Sequence, residues 1–486
     1  MRELECDIVV IAAGPAGLAA AISAAEREAS VIVLEKSNAT GGAGNMGMGP
    51  LGIETRYQKE QMIKLTKEEA FKKFMDYTHW RVDARLVREY LYKSGDTIQW
   101  LEDMGVEFTG ASRYFADSEA TWHIVKPESG RPGPRAASRM YKIMTQRAEE
   151  LGVEILLETP AKKILKEDGR IAGVIAIDKN GEEVKIQCGA VVVATGGFGD
   201  NPEMIRQLTG YEWGKDMFSF RIPGITGDGI RMAREVGAGE TEYNIEMAYG
   251  CPSENGYTTV VGIHMQPNLM VNLLGERFMN EEVLANTTFT SNILAVQKER
   301  CGFSIIDDSI KKYYLKSGID DMNLVNHVKS SENYDVEIKD AVEKGDPYIF
   351  AADSIEELAE KTGIDAEALK KTVEEYNSSC KERDFLFNKN YRYMRPLVGP
   401  KFYAVKFYPG GYGSLGGIKI NYRTEAVTND FQVIAGLYAA GTDACSIYGD
   451  SYVFVLPGNT MGFALNSGRM AGENAVEYLL KLYAED

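Results

Sequence analysis

The 486-residue sequence predicts an α/β fold in which a Rossmann-like domain carries a small β-meander and an inserted α+β domain. Three observations predict this fold. A strand, a glycine turn, a helix and a second strand follow one another from Asp7. Short runs of alternating apolar and polar residues occupy residues 153–193. Glycine turns become sparse between about Glu246 and Tyr408 and then return.

The first element is a βαβ unit. An apolar, β-branched run at residues 8–11 precedes a glycine turn and an alanine-rich helix, and a second apolar run ends at Glu35. Gly14 lets the backbone approach a pyrophosphate, and Gly17 lets the helix lie close to the sheet. The N–H groups at the helix start face the phosphates. Glu35 is placed to accept hydrogen bonds from a ribose, so the unit predicts a bound dinucleotide.

The glycine turn departs from the usual G-x-G-x-x-G pattern at its first position, where this chain has Ala12. That glycine normally serves the tight turn. Because alanine disfavours left-handed backbone, we expect φ of Ala12 to be negative.

Helices of mixed charge are predicted between Lys59 and Met104, with Trp80 and Trp100 as packing anchors. A surface loop is predicted around Trp122 and His123, because Pro127, Pro132 and Pro134 follow.

The β-meander is predicted from the hairpin signals Asp168-Gly169 and Asn180-Gly181. It leads into an apolar strand that ends in Ala-Thr-Gly-Gly at residues 194–197, where the backbone can approach the adenine side of the same cofactor. A further glycine turn at residues 226–229 opens an amphipathic helix.

Charge and composition exclude several classes of function. The formal net charge of −17 argues against nucleic acid or an anionic membrane surface as a partner. No apolar run reaches the length of a membrane span, and no signal segment precedes Asp7, so we expect a cytoplasmic protein. The six cysteines and four histidines lack metal-binding spacing, so we expect no metal.

Several motifs in order resemble the fumarate reductase and succinate dehydrogenase flavoprotein family. They are the βαβ unit with Gly41-Gly42, the Ala194–Phe198 strand end, Thr226–Gly229, Gly436–Gly441 and Gly468–Asn474. The resemblance implies a split FAD-binding domain at 1–245 and 411–486, with a cap domain at 246–410. It also implies hydride transfer between flavin N5 and a carbon–carbon bond. No histidine lies between Gly41 and Gly49, where membrane-bound relatives attach FAD covalently, so we expect non-covalent FAD.

The resemblance also implies the residues that contact FAD, with Asp443 where relatives have an acid that binds ribityl hydroxyls. These residues are Gly14, Pro15, Ala16, Gly17, Glu35, Lys36, Gly41, Gly42, Ala43, Gly44, Asn45, Ala161, Ala194, Thr195, Gly196, Asp228, Asp443, Gly462, Phe463 and Leu465.

The substrate side departs from the family pattern. Ala285 stands where fumarate reductases have the arginine that protonates the substrate, and His264 and Val261 stand where its relay partners would be. Gly413 replaces a carboxylate-binding histidine, and residues 456–462 lack the usual arginine. A dicarboxylate needs cationic, bidentate partners, so fumarate or succinate is not the expected substrate.

Aromatic residues flank the glycine turns instead: Tyr408, Tyr412, Tyr448, Tyr452 and Phe454. This resembles 3-ketosteroid dehydrogenases and the branches that reduce enones and polyphenols, and it favours a flat, largely apolar cyclic substrate. The candidates for proton transfer are Tyr412, Tyr448, Tyr452 and His264, although each tyrosine could instead only pack.

Two alternatives to this enzyme remain open: a reductase of a small unsaturated acid, and a flavin-binding redox protein without turnover. Since the sequence contains no haem motif, FMN domain or separate nicotinamide motif, we expect electrons from another protein, a quinone or a reduced flavin.

Overall fold

The structure is a computed structural model that describes residues 2–128, 133–218, 222–320 and 333–485. Pro132 of the predicted surface loop lies outside the described residues. Within the described ranges, no helix combines the length and the apolar character needed to cross a membrane.

The strands are β1 Arg2–Glu5, β2 Ile8–Ile11, β3 Val31–Leu34, β4 Phe108–Ser112, β5 Trp122–Val125, β6 Glu154–Leu156, β7 Ala161–Glu167, β8 Arg170–Ile177, β9 Glu183–Gln187, β10 Ala190–Val193, β11 Asn244–Gly250, β12 Leu269–Val271, β13 Gly302–Asp307, β14 Ile349–Ala352, β15 Phe402–Gly417, β16 Glu425–Val427, β17 Val433–Ala439 and β18 Ala444–Cys445.

The helices are α1 Pro15–Ala25, α2 Arg56–Glu60, α3 Lys67–Tyr77, α4 Ala84–Asp103, α5 Ser138–Glu150, α6 Pro202–Thr209, α7 Asp228–Glu235, α8 Thr258–His264, α9 Thr287–Ala295, α10 Asp308–Ser317, α11 Tyr334–Glu343, α12 Ile355–Thr362, α13 Ala366–Ser379 and α14 Asn459–Glu485.

The chain forms two compact units. The first unit comprises Met1–Gly210, Arg221–Glu246 and Gly413–Asp486, and the second comprises Tyr211–Phe220 and Met247–Tyr412.

The first unit is built on a sheet of order β1-β9-β8-β17-β10-β2-β3-β6. Strands β10, β2, β3 and β6 run parallel. Their register aligns Val193 with Ile11 and Ile11 with Leu34, so these strands end at one edge of the sheet. All residues of β2, β3 and β10 are buried, as continuous apolar runs in a parallel sheet require. The predicted α/β fold is confirmed.

The predicted β-meander is confirmed by the antiparallel pairing of β7 with β8 and of β8 with β9. The segment before β7 differs, because β6 instead extends the parallel part of the sheet beside β3.

Helices α1 and α14 pack closely through glycines. A Cβ on Gly468 would lie 2.2 Å from the carbonyl oxygen of Ala16, and one on Gly472 would lie 2.3 Å from that of Ala20. Distances this short exclude any side chain at these two positions. The close approach holds the long C-terminal helix against the helix of the βαβ unit.

The second unit has its own apolar core around antiparallel strands. β13 pairs with β12 on one side and with β15 on the other, and β14 also pairs with β15. Arg277 binds the carboxylates of Glu281 and Asp384 in this unit, and its side chain is 5% exposed. The core of the second unit therefore contains a buried ionic cluster.

Two predictions in the first unit are wrong. Trp80 is 59% exposed and does not anchor packing, because it follows α3 at a turn with left-handed backbone. Trp122 and His123 do not lie in a surface loop but in β5, which pairs with β4 and is buried along its length. Their hydrogen bonds explain this burial: the Trp122 indole donates to the carbonyl of Gly49, and His123 bonds the hydroxyl of Thr55.

Candidate active site

The turn that follows β2 forms one wall of the candidate cofactor site. Ala12 has φ of +84°, so the expectation of a negative φ is wrong. Its backbone N–H donates to the carbonyl oxygen of Leu34 at 2.7 Å, which fixes the turn to the end of β3. The turn therefore keeps the left-handed geometry that a glycine would adopt without strain.

The start of α1 offers space and donors for a pyrophosphate. Gly14 precedes the helix without a side-chain cap, and Pro15 occupies its first turn. A Cβ on Gly14 would meet no atom within 4 Å, so the space beside the turn is open. A Cβ on Gly17 would lie 1.8 Å from the carbonyl oxygen of Ala12. The uncapped backbone N–H groups at Ala16 and Gly17 fit an anion.

Glu35 is fixed at the end of β3 by two backbone donors. Its Oε2 accepts from the N–H of Ala13 at 2.8 Å, and its Oε1 accepts from that of Ser37 at 2.7 Å. The N–H of Thr159 donates to its backbone carbonyl, two residues before Ala161 at the start of β7. The carboxylate is thus oriented beside the glycine turn, where a ribose would bind.

Residues Gly41 to Asn45 fold back onto the same turn. The N–H of Gly41 donates to the carbonyl oxygen of Ala13, and Gly42–Met46 forms a short 3-10 helix. A Cβ on Gly44 would lie 2.6 Å from the ring of Pro15, and one on Gly41 would lie 2.5 Å from the Asn45 side chain. The structure therefore brings the predicted contacts at residues 14–17 and 41–45 together.

Lys36 and Asp228 meet directly at the same edge of the sheet. Nζ of Lys36 lies 2.7 Å from Oδ2 of Asp228, which also accepts from the hydroxyl of Thr226. Burial alone would raise the pKa of Asp228, but the hydrogen bond and charge of Lys36 hold this pKa below its ordinary value.

Asp443 joins the ends of two neighbouring strands. Its buried carboxylate accepts hydrogen bonds from the backbone and hydroxyl of Thr195 and from the N–H of Gly197, at 2.9 Å for Gly197. Burial raises the pKa of Asp443, while these donors oppose the rise. Ala194, Thr195 and Gly196 follow β10, so the carboxylate positions this strand end. Its contact with ribityl hydroxyls stays a prediction.

Helix α14 begins beside these segments. Gly462, Phe463 and Leu465 lie in its first two turns, and Phe463 packs edge-on against Tyr90 with ring centroids 5.5 Å apart. A Cβ on Gly47 would lie 2.4 Å from Cε of Met461, and one on Gly441 would lie 3.5 Å from Cβ of Ala464. The start of α14 therefore joins the predicted FAD contacts of residues 41–45 to those near Asp443.

Two of the four predicted proton-transfer residues lie together at this place. The rings of Tyr448 and Tyr452 are 5.0 Å apart and edge-to-face. The Tyr448 hydroxyl bonds Oδ1 of Asn459, as does that of Tyr90, so both donate to one amide oxygen. The Tyr452 hydroxyl instead accepts from the N–H of Thr460 at 3.0 Å. Its own hydrogen thus remains available to donate.

Sequence reasoning missed a buried acid in the same cluster. Oε1 of Glu246 accepts a hydrogen bond from the hydroxyl of Thr460 at 2.6 Å. Burial raises the pKa of Glu246 to about 7, and the bond from Thr460 lowers it only partly. The signal in the sequence was a lone acid in the otherwise apolar run at residues 245–249.

The other two candidates, His264 and Tyr412, belong to the second unit. His264 is fully buried in its core, with one ring nitrogen 3.0 Å from the carbonyl of Ser304 and the other 3.0 Å from the Tyr334 hydroxyl. Burial lowers the pKa of His264 to about 3. Both ring nitrogens thus serve the core of the second unit, and a role of His264 in proton transfer stays a prediction. Tyr412 is partly buried on β15.

The βαβ cradle, its oriented acid and the adjoining glycine turns define a dinucleotide-binding protein. Residues 7–460 match the family described as FAD binding domain. The chain is 35% identical over 489 aligned residues to the vinyl phenol reductase of Lactiplantibacillus plantarum, covering 97% of this chain and 96% of that protein. It is 28% identical to the fumarate reductase (cytochrome) of Shewanella frigidimarina, covering 98% of this chain and 78% of the relative.

A solved structure shares the fold. The 3-ketosteroid-Δ4-(5α)-dehydrogenase from Rhodococcus jostii RHA1 superposes with a TM-score of 0.77 at 23% identity, covering 98% of each chain. The chain belongs to the FAD binding domain family, as the sequence motifs predict, and it is an FAD-dependent oxidoreductase.

Proposed function

We propose that the protein reduces a carbon–carbon double bond conjugated to a planar ring, with a phenol or an enone as the activating group. The observation that supports this proposal most directly is that the buried cations are paired with carboxylates of the protein. Among the residues that the structure describes, the buried basic side chains each bind a carboxylate of the protein: Arg277 with Glu281 and Asp384, Lys311 with Asp308 and Asp335, Lys389 with Glu281, and Arg469 with Asp96.

A small dicarboxylate would need such cations for itself. Desolvating two carboxylates is costly unless charged, hydrogen-bonding partners compensate. The buried cations of the described residues are already neutralised by acids, and Glu246 adds a further acid beside the tyrosines. This charge distribution favours a neutral substrate.

Aromatic side chains in the first unit favour a planar substrate. The ring of Phe454 packs against Tyr114 at 4.5 Å, against Phe115 at 6.0 Å and against Tyr452 at 5.9 Å between centroids. Such rings offer flat, apolar surfaces with a hydroxyl at the edge. The 35% identity to a vinyl phenol reductase over nearly the whole chain supports the same class of substrate.

Bound FAD supplies the hydride that one carbon of the double bond receives. Tyr452 is the residue best placed to give the other carbon a proton. The Thr460 N–H holds its hydroxyl oxygen, so the hydroxyl hydrogen can point away from Thr460. A positioned general acid contributes roughly 10² to 10⁴ in rate. Electrons reach FAD from an external donor, which we propose to be a protein, a quinone or a reduced flavin.

The experiment is reoxidation of the reduced holoenzyme without oxygen. The flavin is reduced photochemically and mixed in a stopped-flow instrument with 4-vinylphenol, an enone steroid or fumarate, with free FAD as the control. We expect reoxidation by a ring-conjugated substrate at least ten times faster than by fumarate. Faster reoxidation by fumarate would favour the small unsaturated acid, and none by any compound would favour a redox protein without turnover.

A further inference from the structure

Glu246 is a buried acid that uses only one of its two carboxylate oxygens as a hydrogen-bond acceptor within the described residues. The residue is 6% exposed, and its Oε1 accepts the 2.6 Å hydrogen bond from Thr460. Among the described residues, no donor reaches Oε2. This oxygen lies 3.7 Å from the position that a Cβ would take on Gly413. An ionised carboxylate oxygen accepts hydrogen bonds, so Oε2 is suited to a ligand that brings a donor.

Residue 413, which lies beside Oε2, is a glycine although its surroundings would admit a Cβ. A Cβ there would have only ordinary contacts, with Oε2 of Glu246 at 3.7 Å and with Cγ2 of Thr442 at 3.9 Å. The backbone of Gly413 is not left-handed, so it does not require a glycine. The absent side chain therefore leaves room that packing does not demand.

The groups that face Glu246 are weak acids. Cys445, Tyr448 and Tyr452 are buried around it. The pKa of each is raised well above its ordinary value, first by burial and then by neighbours that include the charge of Glu246. Among the described residues, no cation contributes to the pKa of Glu246. An anionic ligand would meet a like charge here, whereas a neutral hydroxyl would meet an acceptor.

Glu246 and Gly413 adjoin the predicted cofactor contacts within the first unit. Thr460 precedes Met461, whose Cε approaches Gly47. On the other side, Thr442 lies beside both Gly413 and Gly197, and Asp443 follows it. A ring held at Gly413 would thus lie next to the segments that the sequence assigns to FAD.

We propose that Glu246 is the specificity-determining residue of the active site, where its Oε2 accepts a hydrogen bond from the ring hydroxyl of a phenolic substrate in the space beside Gly413. This inference rests on the proposed function and narrows it to phenols. With a pKa of about 7, the carboxyl is close to half ionised at neutral pH, so it can take and return a proton.

For a vinylphenol, Glu246 and Tyr452 would each transfer one proton during the reduction. The phenol proton moves to the Glu246 carboxylate while Tyr452 gives a proton to the terminal vinyl carbon, which leaves a neutral quinone methide. Bound FAD would supply the hydride for the second C–H bond, at the benzylic carbon, and Glu246 would return its proton to the ring oxygen. Solvent restores the proton of Tyr452, and the net change is one hydride and one proton added.

The test measures binding to the oxidised holoenzyme, which involves no turnover. The probes are 4-ethylphenol and its methyl ether, 4-ethylanisole, followed by perturbation of the flavin absorbance between pH 5.5 and 8.5. We expect wild type to bind the phenol at least ten times more tightly than the ether. Glu246→Gln should reduce this preference below about threefold and remove the pH dependence near 7, while Glu246→Asp keeps part of both.

Two further variants make the outcome specific. Glu242→Gln changes a side chain that is 93% exposed in the same segment and should bind as wild type does. Gly413→Val should weaken both probes with unchanged FAD content, because its side chain would occupy the proposed binding position beside Oε2. A Glu246→Gln protein that keeps the full phenol preference would overturn the role of Glu246 alone. A wild type that binds neither probe and is reoxidised fastest by fumarate would overturn the proposed function.

Discussion

The carbonyl oxygen of Ala12 lies 1.8 Å from the position that a Cβ would take on Gly17. The glycine turn after β2 thus packs so closely against the first turn of α1 that Gly17 cannot carry a side chain. Ala12, by contrast, carries a Cβ although its backbone is left-handed, with φ of +84°. Ala12 is therefore strained, whereas position 17 requires a glycine.

We expect Ala12→Gly to raise the free energy of unfolding by about 1 kcal/mol, because glycine relieves the left-handed strain. Urea unfolding of the holoprotein measures the change. Ala13→Gly is the matched control: its backbone is not left-handed, so the same substitution should destabilise by about 0.5–1 kcal/mol. Gly17→Ala should abolish FAD binding. Equal effects of the changes at residues 12 and 13 would contradict the role of strain.

Asp443→Asn should lower the free energy of unfolding by about 2–4 kcal/mol and reduce the FAD content of the purified protein. The amide would place an NH₂ donor against the donors of the half-buried Thr195 and the buried Gly197. Urea unfolding and the ratio of absorbance at 450 and 280 nm measure both effects. Asp450→Asn, on an exposed side chain of the same unit, is the control. Normal FAD content in the Asp443 variant would show that the strand ends are held by other contacts.

Much of the fold could be predicted because periodic and turn signals act locally. The apolar runs of β2, β3 and β10 are long enough to define a parallel sheet, and the hairpin signals at Asp168 and Asn180 fix the meander. Ala12 shows the limit of such signals. Its conformation is imposed by the hydrogen bond to Leu34 and by the close approach of Gly17, which are tertiary contacts that override the preference of alanine.

The candidate site was less predictable, because the roles of its polar residues depend on their partners. His264 matched a position of the family relay, yet both its ring nitrogens serve the core of the second unit. Glu246 belongs to no motif, and only the fold brings it to Thr460, which is more than two hundred residues away in sequence. Trp122 and His123 were assigned to a loop because prolines follow them, although strand pairing with β4 decides their structure.

The flavin should be released by acid, since residues 41–49 contain no histidine for a covalent bond. After precipitation with trichloroacetic acid, we expect all of the FAD in the supernatant and none in the pellet. Absorbance and fluorescence of both fractions measure the distribution. A yellow pellet that fluoresces after electrophoresis under denaturing conditions would contradict non-covalent binding.

Tyr452→Phe should lower kcat with 4-vinylphenol by roughly 10² or more while leaving the flavin spectrum intact, because the variant loses the hydroxyl that can donate a proton. Tyr448→Phe and Tyr90→Phe are matched controls. Each removes one buried hydroxyl that donates to Asn459, so we expect losses of stability and less than a tenfold change in kcat. A larger loss of kcat in Tyr448→Phe than in Tyr452→Phe would reverse the assignment.

Glu246→Gln should change how stability depends on pH. The pKa of the Glu246 carboxyl is about 7 in the folded protein, against 4.5 for an ordinary glutamate, so the folded state keeps a proton that the unfolded chain releases between these values. The contribution of Glu246 to the free energy of unfolding of wild type therefore falls as pH rises from about 4.5 to about 7, and then levels. Glutamine does not titrate, so the variant lacks this contribution. Between pH 4.5 and 8 we expect the free energy of unfolding of the variant to increase by about 3 kcal/mol relative to that of wild type.

The difference between the two urea unfolding curves, measured at each pH, isolates Glu246 because every other group is shared. Parallel pH profiles would show that the Glu246 carboxyl has the same pKa in the folded and unfolded states, which would contradict a raised pKa of this buried acid.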